Sequence, residues 1–216
     1  MTNRIQKVVG GDFSELMVGN VHRFCSKFLF EQGCIPADSA IIDDEEAVSI
    51  IADYRNEDEE GVTRDFNRYK GYQTIIFFQH FIYQMEHQHP WKYYLHPESF
   101  TDDDREAIKQ ICKSQKKEYN EQAVIDIYHH AQQYMDEANV PGLDAKTADR
   151  IRVLLWKMYY AACYAQYKEE NHLLDFEDLL LKTYDIYSTD DTCKRYKWIQ
   201  VDEVQDLNGM QLAIID

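Results

Sequence analysis

The sequence predicts a helix-dominated α/β protein in which an all-helical subdomain is inserted into a sheet-bearing core. Three observations carry that expectation. The 216 residues include only 8 glycines and 4 prolines, about half the usual share, so turns are few and helices long. Apolar residues recur at i, i+3, i+4 and i+7 through most of the chain, the period of an amphipathic helix. Strand-like runs are confined to the ends: Leu16-Met17-Val18 before Gly19, and Trp198-Ile199-Gln200-Val201 before Asp202. The helical block between them is too long for one crossover connection, which points to an insertion.

Taken in order, Val21, Phe24, Phe28 and Leu29 form the first apolar helix face. Asp43 with Glu46 three residues later is a capping box opening a second helix, whose face is Val48, Ile51 and Tyr54. Thr101 and Asp175 are predicted N-caps, each with an acid three residues on, Asp104 and Asp178. Val124, Ile127, Tyr128, Ala131, Tyr134 and Met135 make another helix face, and Ile151, Leu154, Leu155, Met158 and Ala162 the next. Breaks fall at Gly33–Pro36, His89-Pro90, His96-Pro97 and Pro141-Gly142.

Composition narrows the function classes. With 23 basic and 39 acidic residues the net charge is −16, which excludes a chain whose whole surface grips nucleic acid. A hydrophobic content of 44% excludes disorder. Acid is concentrated in residues 36–65, where eleven carboxylates face only Arg55 and Arg64. That stretch reads as a solvated face, and alternatively as a docking surface for a protein partner. Five scattered cysteines without a CxxC pair suggest reduced intracellular thiols. No apolar signal core and no run of about 18 apolar residues occurs, so a cytoplasmic chain with no membrane partner is expected.

The stretch with most chemistry is Tyr196–Asp206. A short hydrophobic strand ending in Asp202-Glu203 would set two carboxylates at the carboxyl edge of a sheet, where α/β proteins bind ligands. In a nucleotide hydrolase Asp202 would hold Mg²⁺ and Glu203 would act as general base on water. Gln205 and Asp206 follow on the turn. Taken alone, an Asp-Glu pair also merely ends a strand and caps a helix.

The longer string Val201-Asp-Glu-Val-Gln-Asp-Leu-Asn-Gly-Met-Gln211 resembles motif II of the UvrD/Rep/PcrA-like superfamily 1 DNA helicases. Leu173–Tyr187, LLDFEDLLLKTYDIY, resembles the family's segment shortly before motif II. Val18–Gly33, VGNVHRFCSKFLFEQG, is similar to a motif near the start of its first domain, and Gly33–Ile51 to the stretch that follows. Met1-Thr2-Asn3 resembles the tail of a further motif. Residues 60–165 carry no motif of their own.

The resemblance implies a partial P-loop NTPase (RecA-like) core, built from residues 1–34 and 171–216, around a helical subdomain at 35–170. It implies an ATP-dependent DNA helicase or translocase moving 3′ to 5′, using ATP and Mg²⁺ in the complete protein. Asp202 would hold Mg²⁺, Glu203 and Gln205 would be catalytic, and Asp206 and Gln211 would line the nucleotide site. Thr2, Asn3 and His22 would contact single-stranded DNA. The sequence departs from the family pattern at Asn20, Val21, Arg23, Gln200 and Leu207, none of which removes a carboxylate. No glycine is followed by Lys-Ser or Lys-Thr, so the chain has no phosphate-cradling P-loop. It is expected to be an internal helicase fragment, inactive and a weak DNA binder by itself. Two alternatives stand beside this reading: a non-enzymatic acidic helical module with relic helicase-like ends, and the helicase part of a RecB- or AddA-like helicase–nuclease.

Lesser candidates are His80, His87, His89 and His96 with Glu86, which lack an established zinc spacing and read as a packed loop. Trp91, Tyr93 and Tyr94 beside Lys92 are candidates for stacking on bases.

Overall fold

The computed structural model describes residues 17–190, 192 and 199–216. Helices α1 (Val21–Glu31), α2 (Asp44–Tyr54), α3 (Glu59–Arg64) and α4 (Phe66–Glu86) come first. Helices α5 (Asp102–Ser114), α6 (Glu121–His129), α7 (Ala145–Glu170), α8 (Phe176–Thr189) and α9 (Gly209–Ile215) follow. Strand β1 (Ala40–Ile41) pairs in parallel with β2 (Leu173–Leu174), and this two-stranded ladder is the only sheet among the described residues. The fold is thus helix-dominated, as the sequence leads one to expect.

Helix starts follow the local chemistry. Asp43/Glu46, Thr101/Asp104 and Asp175/Asp178 all form reciprocal capping boxes, each satisfying two backbone N–H groups that a helix start leaves unpaired. Asn208/Gln211 is a fourth that the sequence reading missed. Neither anticipated strand is formed by its described residues. Met17-Val18 and Ile199–Val201 are irregular, while Leu16 and Trp198 lie outside the described residues. A strand is defined by its ladder partner, and the described residues offer none beside either segment.

Two buried apolar clusters organise the chain. The larger joins α2, α4, α5, α6 and α7 through Val48, Ile51, Phe78, Phe81, Ile108, Leu154, Leu155 and Met158. The smaller joins α1, α8 and α9 through Cys25, Leu29, Leu179, Leu180, Met210 and Ile214. Three details depart from the periodicity. Tyr54 lies exposed, edge-on to Tyr167, because helix α2 ends there and turns its face outward. Ala161 rather than Ala162 is fully buried on α7. The helix expected through Met135 stops at His129 and resumes as a 3₁₀ turn over Met135–Asn139.

A buried ionic network ties the elements of the two clusters together. Lys168 on α7 donates to Asp175 Oδ2 (2.8 Å), Asp178 Oδ2 (2.6 Å) and Gln79 Oε1 (3.2 Å). His80 Nε2 lies 2.9 Å from both oxygens of Asp175, and the Tyr164 hydroxyl donates to Asp175 Oδ2 at 2.7 Å. Burial alone would lower the Lys168 pKa, but Asp175 and Asp178 outweigh it and hold the ammonium charged. Burial would likewise raise Asp175, yet His80 and Lys168 hold its carboxyl well below the usual range. Asp178 is pushed up by burial and by the neighbouring Asp175.

Candidate functional site

The Asp-Glu pair sits on a tight turn between Val201 and α9. Glu203 adopts left-handed backbone geometry (φ 54°) and opens a 3₁₀ turn over Val204–Asp206. Asn56, Gln88, His96, Lys116 and His172 adopt the same left-handed geometry at other tight turns, so here it reports the tightness of the turn. The Glu203 N–H donates to Asp202 Oδ1 at 3.1 Å, and the Gln205 side-chain amide donates to the Glu203 carboxylate. Asp202, Glu203, Gln205 and Asp206 are all exposed. Among the described residues no lysine, arginine or histidine forms an ion pair with Asp202, Glu203 or Asp206. Their carboxylates do not converge into a three-ligand cation set among the described residues, so Asp202 and Glu203 stand as separate exposed groups on the turn. Asp202, Glu203, Gln205 and Asp206 are held on one turn. Gln211 stands apart: its side chain accepts from the Asn208 N–H (3.1 Å) in the α9 capping box.

The turn is anchored from behind. Met210 and Ile214 of α9 are buried in the smaller cluster. Gly209 approaches the backbone of the loop after α4 so closely that a Cβ there would lie 2.5 Å from the Lys92 carbonyl oxygen. That loop is itself held by Gln84, which donates to the Tyr93 carbonyl (3.0 Å) and accepts from the Leu95 N–H (2.7 Å). Neither Gln84 nor the close approach at Gly209 was legible in the sequence. Glutamine at a helical core position carries no local signal, and its partners are loop backbone groups.

His22 lies in the first turn of α1, half-buried, with its ring 5.4 Å from that of Phe176 on α8. Burial lowers its pKa, opposed in part by the Glu177 charge, so the imidazole is neutral near pH 7. Helix α8 is thus packed by α1, which carries His22, and by α9, which follows the carboxylate turn. Thr2 and Asn3 lie outside the described residues.

The histidines of the middle segment go to separate partners. His80 binds Asp175, His89 Nε2 meets Asp185 Oδ1 at 2.5 Å, His87 stacks on Tyr83, and His96 stacks on Phe77. His80, Asp175 and Glu177 come within 4.8 Å of one another, but Lys168 and Tyr164 already donate to Asp175. Of the aromatic loop residues only Trp91 is well exposed; Tyr94 packs on Phe81, and Tyr93 on Tyr184.

The sequence model of the UvrD/REP helicase N-terminal domain matches residues 1–216, the whole chain. The chain belongs to that family. No curated protein and no solved structure matches it. UvrD/REP helicases are ATP- and Mg²⁺-dependent enzymes acting on DNA, and the carboxylate turn lies in the segment that resembles their motif II. No helix among the described residues is long and apolar enough to cross a membrane.

Proposed function

We propose that this UvrD/REP chain supplies part of the first RecA-like ATPase domain of an ATP-dependent translocase that moves 3′ to 5′ on single-stranded DNA. Residues 1–34 and 171–216 belong to the ATPase domain, and 35–170 form its helical insertion. The observation that carries the reading is the Asp202–Asp206 turn, in the segment that resembles motif II, which presents two adjacent, exposed carboxylates with no basic partner among the described residues. The smaller cluster, built chiefly from α1, α8 and α9 with Ile35 and Leu95 added from the segment between, supports the division of the chain.

In this reading Asp202 would hold Mg²⁺, which when bound neutralises charge on the transferring phosphoryl group. The Glu203 carboxylate accepts the proton of the attacking water, and the Gln205 amide, already donating to that carboxylate, fixes its orientation. Asp206, on the same turn, would line the nucleotide site. Gln211 is engaged in capping α9, so its contribution is to hold the turn in place unless it exchanges Asn208 for the nucleotide. His22, with Thr2 and Asn3, contacts single-stranded DNA as a neutral hydrogen-bonding group. Without P-loop amides and lysine the 216-residue chain has no cradle for a triphosphate. It is therefore expected to hydrolyse no ATP by itself. DNA-stimulated turnover by this chain, abolished by Glu203→Gln, would overturn that expectation.

A further inference from the structure

Helix α7 has two apolar faces, one filling the core and one partly exposed, on which Tyr160 still packs against the core edge. Ile151, Leu154, Leu155, Met158, Ala161 and Tyr164 fill the larger core. On the outer side Val153, Trp156, Tyr160, Cys163 and Tyr167 recur at alternating steps of three and four residues, the spacing of a coiled-coil seam. Val153 is 58% exposed, Trp156 44% and Tyr167 36%, and Tyr54 of α2, 43% exposed, extends the face edge-on to Tyr167. From Val153 to Tyr167 the face runs about 21 Å, or four turns.

The aromatic face is neither loose nor isolated. The Arg55 guanidinium lies 5.4 Å from the ring centroids of both Trp156 and Tyr160 and bonds Glu57 Oε1 at 3.1 Å, so its charge is spoken for. An open groove of about 320 Å³ adjoins this face at Cys163; Tyr159, Ala162 and Gln166 line it from α7 and His129 to Gln133 from the end of α6, while Trp156, Tyr160 and Tyr167 lie outside it. Contiguous exposed apolar surface with a polar border marks an interaction site.

The border is acidic. Asp53 flanks Tyr54, and Glu169 and Glu170 close the far end of α7, all exposed. Tyr54 senses this setting: burial, then Cys163 and Glu170, raise its phenol pKa. A second copy of a chain of net charge −16 would bring like-charged borders together, which opposes self-association through this face.

We propose that the outer face of α7, with its acidic border, is a docking groove for a basic amphipathic helix of a partner protein, about four turns long. Apolar anchors at i, i+3/i+4 and i+7 lie along Trp156, Tyr160 and Tyr167, and lysines or arginines flanking them pair with the acidic border. This inference does not depend on the helicase reading, since it uses only the larger helical cluster.

The test uses the 216-residue protein and a fluorescein-labelled Leu/Lys peptide of about 16 residues with seam spacing, read by fluorescence anisotropy. Controls are a scrambled peptide of identical composition and a Leu/Glu peptide of the same pattern. The expected result is micromolar binding of the patterned Leu/Lys peptide alone. Trp156→Glu, at an exposed position, should weaken it by about tenfold or more. Glu169→Lys with Glu170→Lys should weaken it several-fold and flatten its salt dependence. Equal binding of the scrambled peptide, or unchanged binding by the Trp156→Glu variant with intact circular dichroism, overturns the proposal. So does concentration-dependent dimerisation lost in Trp156→Glu, which assigns the face to a second copy. Oligothymidine binding lost in that variant assigns it to nucleic acid and equally overturns the proposal.

Discussion

Replacing Lys168 by Met is the sharpest single test of what joins the helical clusters. The methionine fills nearly the same space, so the loss is electrostatic rather than steric. Asp175 keeps His80 at 2.9 Å and the Tyr164 hydroxyl at 2.7 Å. Asp178 loses its close cation and keeps only the Asp175 N–H at 3.0 Å and His80 at 3.8 Å. Removing one partner of a buried ion pair typically costs about 3–5 kcal/mol, because the other charge is stranded. Since Asp175 stays partnered, the lower end, about 3 kcal/mol, is expected here. For a chain of this size that corresponds to a fall in Tm of roughly 6–12 °C. Urea unfolding followed by circular dichroism measures it. The sign with pH is fixed. In the native protein Asp175 titrates below its ordinary value, so its contribution is present above about pH 4 and fades as pH falls further. Without the ammonium both carboxyls resist ionisation, so protonation relieves the variant, and its deficit is largest at neutral pH and shrinks toward pH 4. Adding Asp178→Asn should recover at least half of the loss. A deficit under about 1 kcal/mol, no recovery in the double variant, or a deficit that grows on acidification would refute the reasoning.

Three further outcomes are expected. Gly209→Ala should destabilise by about 1–2 kcal/mol, because its Cβ would meet the Lys92 carbonyl at 2.5 Å, whereas Gly71→Ala, in open space on α4, should stabilise by about 0.5–1 kcal/mol; paired chemical denaturation decides. A water-soluble thiol reagent should label exposed Cys34 quickly in the native protein, but buried Cys25, its thiol pushed up to about 11, only on unfolding, as peptide mass spectrometry would read. The isolated chain should bind oligothymidine more weakly than about 10⁻⁴ M near physiological salt, since a net charge of −16 repels phosphates; sub-micromolar, salt-sensitive anisotropy changes would contradict this.

How much of this was legible in the sequence depended on how local each signal is. The capping boxes at Asp43, Thr101 and Asp175 are three-residue patterns and could be read directly. So could the alternation of Ile151, Leu154, Leu155 and Met158 on α7. The β1–β2 ladder could not, because two-residue strands separated by more than a hundred residues have no period to detect. Lys168 sits in a Tyr-Lys-Glu-Glu string that reads as solvent-exposed, and its burial is set by Gln79, Asp175 and Asp178 arriving from other helices. The carboxylates of the candidate site were legible from their motif. The strand drawn beneath them was not realised, and the left-handed geometry at Glu203 has no signature in a Val-Asp-Glu-Val string.

The central claim is that Glu203, held on its turn beside Asp202, is the water-activating carboxylate of an ATP-hydrolysing helicase. Its most direct test is steady-state, DNA-stimulated ATP hydrolysis by this chain joined to a P-loop-bearing segment of a UvrD/REP helicase, comparing the native sequence with Glu203→Gln. Loss of a general base should lower kcat by about 10²–10⁴ while the KM for ATP changes little. A Glu203→Gln enzyme that turns over ATP at the native rate would contradict the account.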